Sequence, residues 1–314
     1  MKKVLKIIGI IFFIIIIGIV VLFVISSKMQ SVPKEYWKKI NSSSDIEKKY
    51  NELGIYEVEK KEYEAPKDDR DKNDNHFLVW YPKEEGTYPL VVMVNGTGVP
   101  CNKYEAVFKH FASWGYVVIG NDYGTNWDGK HPSETLDFAL NIEEIANMID
   151  TNKIAIGGHS QGGMGTFNAI NKYENGNKYK VLFAISPTNN ELGIALKWGF
   201  DLDTENAYAY QLDKIKIPTM LIAGTGKFDS ETVSPLEQME TAYNELNVDK
   251  VMFRRSNDID HGNMLYESNG YVIAWLDYYL KDIKENEKVF FGDNAEIKNN
   301  NRYQDFKSEL ITTK

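Results

Sequence analysis

The sequence predicts an α/β fold with a mostly parallel central sheet and helices on both faces. From residue 90 onward, short apolar runs alternate with longer amphipathic segments, which is typical of strands joined by crossover helices. One apolar run, residues 153–156, leads into the motif Gly-x-Ser-x-Gly at residues 158–162. The chain has 314 residues, 43% of them hydrophobic, so it can bury one large core and still carry a small appendage.

The N-terminus carries an apolar stretch, residues 4–25, that is interrupted only by Lys6. At about 1.5 Å per residue, a helix of this length spans about 33 Å, enough for a bilayer core. We therefore predict an N-terminal transmembrane helix that anchors the protein in the membrane through residues 1–29. The alternative is a signal peptide cleaved near Val24 and Ser26. A long domain crosses the membrane largely regardless of its charge, so we expect a single-pass cell-membrane protein with its domain outside the cell.

The chain that follows begins with polar segments and then enters the sheet. Residues 30–53 are charged and polar and predict a stalk ending in a short helix, and residues 54–314 are predicted to form the domain. Strand composition at residues 55–63 and 76–81, separated by a charged turn, predicts an antiparallel hairpin at a sheet edge. Residues 90–94 are wholly apolar and predict a buried strand.

The alternation continues to the closing helix. Residues 188–217 show no obvious strand but several aromatic side chains, which favours a short cap insertion over the pocket. The polar tail, residues 285–314, is predicted to wrap the surface. Helices are predicted over residues 103–114, 133–150, 163–173 and 270–284, and strands over residues 116–120, 153–156, 180–186, 218–224 and 250–255.

Ser160 is the candidate nucleophile. A serine that must meet a carbonyl carbon at the top of a sheet lies on a sharp strand-to-helix bend, where strained torsions leave little room two residues to either side. Gly158 and Gly162 supply that room, and the following helix directs backbone N–H groups toward the serine. The alternative is a glycine-rich turn with an incidental serine. The loop at residues 95–98 is where an oxyanion hole would lie, unless it is a plain βα turn.

A serine hydroxyl needs a histidine to take its proton and a carboxylate to hold that histidine in the right tautomer. His261 follows the strand predicted last, and Asp229 follows the strand before it. Both loops are therefore expected at the edge of the sheet where Ser160 lies. Asp258 and Asp260 are expected to shape the loop of His261. If Asp201 or Asp203 were the acid instead, the acid would follow the strand that precedes residues 218–224. The remaining histidines, expected to be structural or exposed, are His76, His110, His131 and His159.

Composition narrows the classes of partner. The net charge of −9 argues against nucleic acid as a partner, because binding to nucleic acid is favoured by clustered Lys and Arg side chains. Cys101 is the only cysteine, so no intramolecular disulfide can form, and a buried small hydrophobe is the commoner role for such a residue. The charged stretch at residues 67–75 is typical of a solvated loop, and we see no ligand cluster for a metal. We expect neither a metal nor a cofactor.

The chain order of serine, acid and histidine, with the segments NGTG, ASWGYVV, GHSQGG and DHGNM, resembles the α/β-hydrolase superfamily. The resemblance is closest to its dienelactone-hydrolase-like, cutinase and poly(ethylene terephthalate) hydrolase, and chlorophyllase-like branches, and it covers about residues 63–282. It implies the α/β-hydrolase fold. It also implies Ser160 as nucleophile, Asp229 and His261 as its partners, and the backbone N–H groups of Thr97 and Gln161 as the oxyanion hole.

The resemblance further implies a serine hydrolase that cleaves carboxylic esters through an acyl-enzyme, acting on a small-molecule or lipid-like ester. An acyltransferase or a peptidase would use the same residues, and a non-catalytic binding protein could keep the fold. The sequence departs from the bacterial polyester hydrolases at Thr97, where they carry an aromatic residue, and at residues 186–188, where they place a tryptophan. The residues expected to line the substrate pocket are Gly98, Thr188 and Trp198.

Overall fold

A single nine-stranded sheet organises the protein. The computed structural model describes residues 31–42, 44–67, 75–194 and 209–311. The strands are Val58–Glu64 (β1), His76–Pro82 (β2), Tyr88–Val94 (β3), Val117–Asn121 (β4), Ile149–His159 (β5), Tyr179–Ile185 (β6), Thr219–Gly224 (β7), Lys250–Arg255 (β8) and Tyr303–Glu309 (β9).

The strands lie in the order β1-β2-β4-β3-β5-β6-β7-β8-β9. The strands from β3 to β8 pair with one another in parallel, whereas β1 and β2 at one edge and β9 at the other pair antiparallel with their neighbours. The sheet agrees with the predicted α/β fold, and the predicted hairpin of β1 and β2 is found at the edge. All parallel strands therefore point their C-terminal ends to one side of the sheet.

Helices cover both faces of the sheet. They are Asp45–Asn51 (α1), Glu105–Ser113 (α2), Lys130–Asn141 (α3), Glu143–Ala146 (α4), Gln161–Lys172 (α5), Leu236–Glu245 (α6), Met264–Glu267 (α7), Asn269–Leu280 (α8) and Glu287–Phe290 (α9). Alternate residues of a strand point to opposite faces, and in β3 Val91 joins one buried apolar cluster while Val92 joins the other. The first cluster includes residues of α1, α2 and α8, and the second includes residues of α3, α5 and α6. Burial on both faces explains why β3 is apolar throughout.

The long helix predicted over residues 133–150 is wrong in its C-terminal part. The structure ends α3 at Asn141, places Ile142 in an extended conformation, and begins β5 at Ile149 after the short helix α4. Ile145 and Ile149 are both buried, and their spacing imitates the period of a helix. Local periodicity therefore could not mark where the chain leaves the helix for the sheet.

The C-terminal tail contributes a strand that the sequence did not indicate. The tail was predicted to wrap the surface, but β9 pairs antiparallel with β8 at the sheet edge. Arg302, directly before β9, is buried and forms ion pairs with Glu47 and Glu267. The strand is therefore held by groups that are distant in the chain, and no local pattern could have predicted it.

The segment predicted as a stalk packs onto the domain where the structure describes it. Tyr36 and Tyr50 are buried, and the Tyr50 hydroxyl donates a hydrogen bond of 2.9 Å to Asp277 on α8. The rings of Tyr50 and Trp114 lie 4.6 Å apart, between centroids. These aromatic contacts join the segment to the core rather than leaving it as a solvated spacer.

The predicted transmembrane helix requires a correction. Among the residues that the structure describes, no helix is long and apolar enough to cross a membrane. A span needs about 20 apolar residues, whereas described helices such as α3, α5 and α8 have 12 residues each. The segment on which the prediction rested, residues 4–25, lies outside the described residues, so the structure gives the anchor no support. The location of the domain outside the cell is not tested and stays a prediction.

Acid is expected to weaken the attachment of the N-terminal segment, because a buried histidine anchors it. The Tyr36 hydroxyl lies 2.5 Å from His110 Nδ1, and His110 Nε2 donates to the Glu52 carbonyl over 2.8 Å. Burial lowers the pKa of His110 from 6.5 to about 4. Between pH 6.5 and about 4, the imidazole of His110 is protonated in the unfolded chain and neutral in the folded chain. The contribution of the neutral imidazole to the free energy of unfolding is therefore fully present above pH 6.5 and decreases as the pH falls toward about 4. The loss is on the order of 3 kcal/mol.

Urea unfolding at a series of pH values from neutral to about 4 measures this effect. His110→Gln should lose less stability than the wild type over the window, because the group that titrates on unfolding is gone. A wild-type slope in His110→Gln would contradict the prediction.

Candidate active site

Ser160 lies at the junction of β5 and α5, on a backbone that is strained for a residue with a side chain. Its φ of 60° and ψ of −124° lie outside the regions that L-residues prefer. The Ser160 N–H donates to the Ile185 carbonyl over 3.0 Å, and the Ser160 carbonyl accepts the N–H of Thr188 over 3.1 Å. Backbone strain of this kind persists only where surrounding contacts hold the residue in place, and it is concentrated at functional sites.

Gly158 and Gly162 make this bend possible because backbone passes directly beside both. A Cβ on Gly158 would lie 2.3 Å from the carbonyl oxygen of Gly162, and a Cβ on Gly162 would lie 2.3 Å from that of Val94. A side chain at either position would force the backbone apart. The two glycines therefore let α5 begin against the ends of β3 and β5.

Asp229 and His261 form a hydrogen-bonded pair at the same end of the sheet. His261 Nδ1 donates to Asp229 Oδ1 over 2.5 Å, with the Asp229 side chain fully buried and that of His261 15% exposed. Asp229 begins a π-helical turn that follows β7, and His261 begins a short 3-10 helix that follows β8. Because these parallel strands end at one edge, both loops reach the edge where β5 ends in Ser160. With Nδ1 occupied, Nε2 is the ring nitrogen available for proton transfer.

The Asp229 carboxylate is held by donors on both oxygens. Oδ2 accepts the hydroxyl of Ser186 over 2.6 Å and the N–H of Gly224 over 2.8 Å. Burial by itself would raise the pKa of Asp229, but the charge and hydrogen bond of His261 and these two donors lower it below its ordinary value. The carboxylate therefore stays ionised and can stabilise a positive charge on His261.

His159 connects the loop of His261 with the loop after β3. His159 Nε2 donates to the His261 carbonyl over 2.9 Å, so Nδ1 is the acceptor and faces the Tyr104 hydroxyl at 3.3 Å. That hydroxyl in turn accepts the N–H of Gly96 over 2.9 Å. Burial, and then the charge of His261, lower the pKa of His159 to about 3, so it is neutral at neutral pH. His159 was expected to be structural or exposed; it is buried and supports the His261 loop.

The loop at residues 95–98 lies beside Ser160. A Cβ on Gly96 would lie 3.3 Å from the Ser160 Cβ. Thr97 follows Gly96 and is partly exposed, and its N–H donates to no other group within the described part of the chain. Gln161 is the first residue of α5, where a backbone N–H has no partner inside the helix. The two N–H groups predicted for the oxyanion hole thus belong to residues adjoining Ser160, and their role stays a prediction.

The structure describes some of the expected pocket residues. Thr188 is buried and contacts Ser160 through its backbone N–H. Gly98 is exposed, with a φ of 64°, in the loop beside Ser160. Trp198 lies outside the described residues, together with residues 195–208 of the predicted cap insertion. Whether these residues line a substrate pocket therefore stays a prediction.

Two of the alternative acids, Asp258 and Asp260, lie in the loop directly before His261. The Asp258 N–H donates to the Thr225 hydroxyl over 3.0 Å, and the Asp260 carbonyl accepts the N–H of Asn263 over 2.9 Å. Both residues shape the loop before His261 through backbone contacts, as the sequence indicated. Asp201 and Asp203 lie outside the described residues.

Three contacts at the site were not expected from the sequence, and they involve Tyr104, Ser186 and Phe228. The Phe228 ring packs edge-on against His261, with centroids 5.2 Å apart at an angle of 87°. Tyr104 belongs to a segment predicted as an amphipathic helix and Ser186 lies just after a strand, so neither differed from an ordinary structural residue. The available signal for Ser186 was its position, a small polar residue at the end of the strand beside the Ser160 bend.

Other titratable groups have structural surroundings. The Cys101 thiol donates to Asp122 over 3.1 Å, and burial, followed by the charge of Asp122, raises the pKa of the thiol well above its usual value. His131 is buried, and its Nδ1 lies against the carbonyl of Thr125. Within the described ranges, no group of three or more His, Cys, Asp or Glu side chains could hold a metal ion.

Comparison with known proteins identifies relatives of this chain. Cutinase est1 of Thermobifida alba is 24% identical over 216 residues, 65% of this chain and 64% of that protein. Cutinase 2 of Thermobifida cellulosilytica is 25% identical over 177 residues, 54% of this chain and 58% of that protein. Chlorophyllase type 0 of Chenopodium album is 27% identical over 107 residues, 29% of this chain and 31% of that protein. The chain thus spans less than two thirds of each of these relatives.

The family model for chlorophyllase matches residues 47–290, which is more than half of the chain. The matched region contains the strands from β1 to β8 and the residues Ser160, Asp229 and His261. The chain belongs to the chlorophyllase family, in the cutinase and chlorophyllase-like branch of the α/β-hydrolase superfamily.

Proposed function

We propose that the protein is a serine hydrolase that cleaves carboxylic esters through an acyl-enzyme intermediate. The observation that carries this proposal is the hydrogen-bonded pair of Asp229 and His261 at the sheet edge where β5 ends in the strained Ser160. The cutinase and chlorophyllase relatives support an ester as the substrate class. A small-molecule or lipid-like ester is the expected substrate.

In the first step the Ser160 oxygen attacks the carbonyl carbon of the ester. A new C–O bond forms while the hydroxyl proton moves to His261 Nε2. Asp229, held ionised, stabilises the resulting imidazolium through the hydrogen bond at Nδ1. This step requires Ser160 Oγ to reach Nε2, a contact that in unliganded enzymes is often long and closes when substrate binds.

The negative charge that develops on the substrate oxygen needs hydrogen-bond donors. The N–H groups of Thr97 and Gln161 would supply them, and the N-terminal end of α5 adds a partial positive charge. The intermediate then expels the alcohol, which takes the proton from His261. Water attacks the acyl-enzyme with His261 as the base, and this second half releases the carboxylic acid and restores the Ser160 hydroxyl.

Labelling with a fluorophosphonate tests the proposal, because it modifies a serine only when the serine is activated. We expect one adduct, located at Ser160 by peptide mass spectrometry, and no adduct on heat-denatured protein. A panel of p-nitrophenyl esters from acetate to laurate should then be hydrolysed faster than matched peptide amides. Absence of labelling on the folded protein would favour a non-catalytic role, and acyl transfer to an added alcohol in preference to water would favour an acyltransferase.

A further inference from the structure

Ser186 is a second strained residue at the site. It follows β6 with a φ of 43°, which Gly, Asn and Asp adopt more readily than serine, and its side chain is fully buried. Its N–H donates to the Ile222 carbonyl in β7 over 2.6 Å, which holds the strand end against its neighbour. A conformation of this kind is unfavourable for a residue with a side chain and persists where other interactions hold it in place.

The interaction that holds Ser186 in this conformation is the hydrogen bond of its hydroxyl group. The hydroxyl donates to Asp229 Oδ2 over 2.6 Å, and the Gly224 N–H donates to the same oxygen over 2.8 Å. The other oxygen, Oδ1, faces His261 Nδ1 at 2.5 Å. Two donors on Oδ2 fix the plane of the carboxylate, and the direction of Oδ1 is fixed with it.

Stability alone does not account for serine at this position. Glycine would relieve the backbone strain, yet it would leave the buried Oδ2 with one donor fewer. Alanine would lose the same donor and keep the strain. The structure thus combines an unfavourable backbone conformation with a short hydrogen bond to the carboxylate that contacts His261.

We propose that Ser186 is a positioning residue for ester hydrolysis: its hydroxyl orients Asp229 so that Asp229 holds His261 in the tautomer that the reaction needs. The inference rests on the proposed function, because orienting this carboxylate affects turnover only if the carboxylate takes part. Ser186 acts on the reaction through Asp229 and does not itself exchange a proton.

The charge on Asp229 supplies a readout that packing alone would not change. The titratable groups that face Asp229 are His261 and, next to it, His159. Removal of the Ser186 donor withdraws one interaction that stabilises the ionised carboxylate, so the Asp229 and His261 pair binds its proton more tightly. The acid limb of the pH–rate profile should therefore move to higher pH. A general loss of packing would lower the rate without moving that limb.

The test uses two variants with opposite effects on the backbone. Ser186→Ala keeps the strain and Ser186→Gly relieves it, and both remove the hydroxyl. Each should lower kcat by about tenfold, leave KM within about twofold, and move the acid limb upward. Ser234→Ala is the matched control, because it removes a buried hydroxyl that donates to the Pro187 carbonyl over 2.7 Å. It should keep the wild-type kcat and pH profile.

A double variant separates positioning from general damage. In an Asp229→Asn background, Ser186→Ala should lower kcat by less than a further factor of about two, because the hydroxyl no longer has a carboxylate to orient. A full tenfold further loss in that background would overturn the proposal, and so would a wild-type kcat and pH profile in both single variants. Thermal unfolding of each variant shows that it is folded.

Failure of the proposed function gives a different result. The wild-type protein would then neither label at Ser160 nor hydrolyse esters, whatever residue occupies position 186, and both proposals would be overturned. If the wild type labels and turns over while the Ser186 variants match Ser234→Ala, only the positioning role is overturned.

Discussion

Ser160→Ala is expected to lower the turnover of a p-nitrophenyl ester by about a million-fold while the protein stays folded. In the proposed mechanism the Ser160 hydroxyl supplies the oxygen that bonds to the acyl carbon, and alanine has no atom that can take its place. Alanine keeps the Cβ and imposes the same backbone preference at the φ of 60°, so the bend between β5 and α5 is preserved. The measurement is kcat on the purified variant, with urea unfolding to verify the fold.

A matched serine variant controls for the loss of a hydroxyl. Ser133 on α3 is buried, and its hydroxyl donates to Asn175 over 2.9 Å, outside the site. Ser133→Ala should keep wild-type turnover. If folded Ser160→Ala retained turnover within about tenfold of the wild type, the nucleophile would be another residue.

Asp229→Asn is expected to lower turnover by about 10⁴-fold. The Gly224 N–H donates to Asp229 Oδ2 and cannot accept a hydrogen bond, so an asparagine amide turns its oxygen toward Gly224. Its NH₂ group then faces His261 Nδ1, which has to give up its proton to accept the bond. The proton moves to Nε2, and His261 can no longer take a proton from Ser160. The predicted loss thus comes from a tautomer and not from a missing side chain.

Steady-state kinetics on the folded variant measures this loss, and Asp258→Asn provides the control. Asp258 is near His261 in the chain, but its described contact is a backbone N–H to the Thr225 hydroxyl. Its φ of 50° is one that asparagine tolerates, so turnover and fold should both be unchanged. A large loss in Asp201→Asn or Asp203→Asn, with near-normal turnover in Asp229→Asn, would move the acid to another loop.

Ser160 could be singled out from the sequence as the candidate nucleophile because the requirements of its bend are local. Gly158 and Gly162 flank Ser160 within two residues, and the backbone contacts that exclude a Cβ arise within the same turn and the adjoining strand end. The acid and the base required one further step, the topology of a parallel sheet. Because strand ends meet at one edge, residues after β7 and β8 could be placed near Ser160 without any knowledge of their contacts.

Contacts between distant segments could not be predicted in this way. His159 was adjacent to Ser160 in the sequence, yet its partners are the Tyr104 hydroxyl and the His261 carbonyl, which come from other loops. The boundary of α3 and the strand β9 were missed for the same reason. Each depends on a pairing between segments that neither segment encodes alone.

The sequence by itself determined the α/β class, the mostly parallel sheet implied by its alternation, and the residues Ser160, Asp229 and His261 as candidates. Only the tertiary structure decided how the carboxylate is held. A φ of 43° at Ser186 has no signature in a single sequence, and the 2.6 Å bond from its hydroxyl to Asp229 joins residues that are 43 positions apart. Periodicity and motifs report on neighbours in the chain, whereas hydrogen-bond geometry within about 3 Å depends on how separate strands come together in the core.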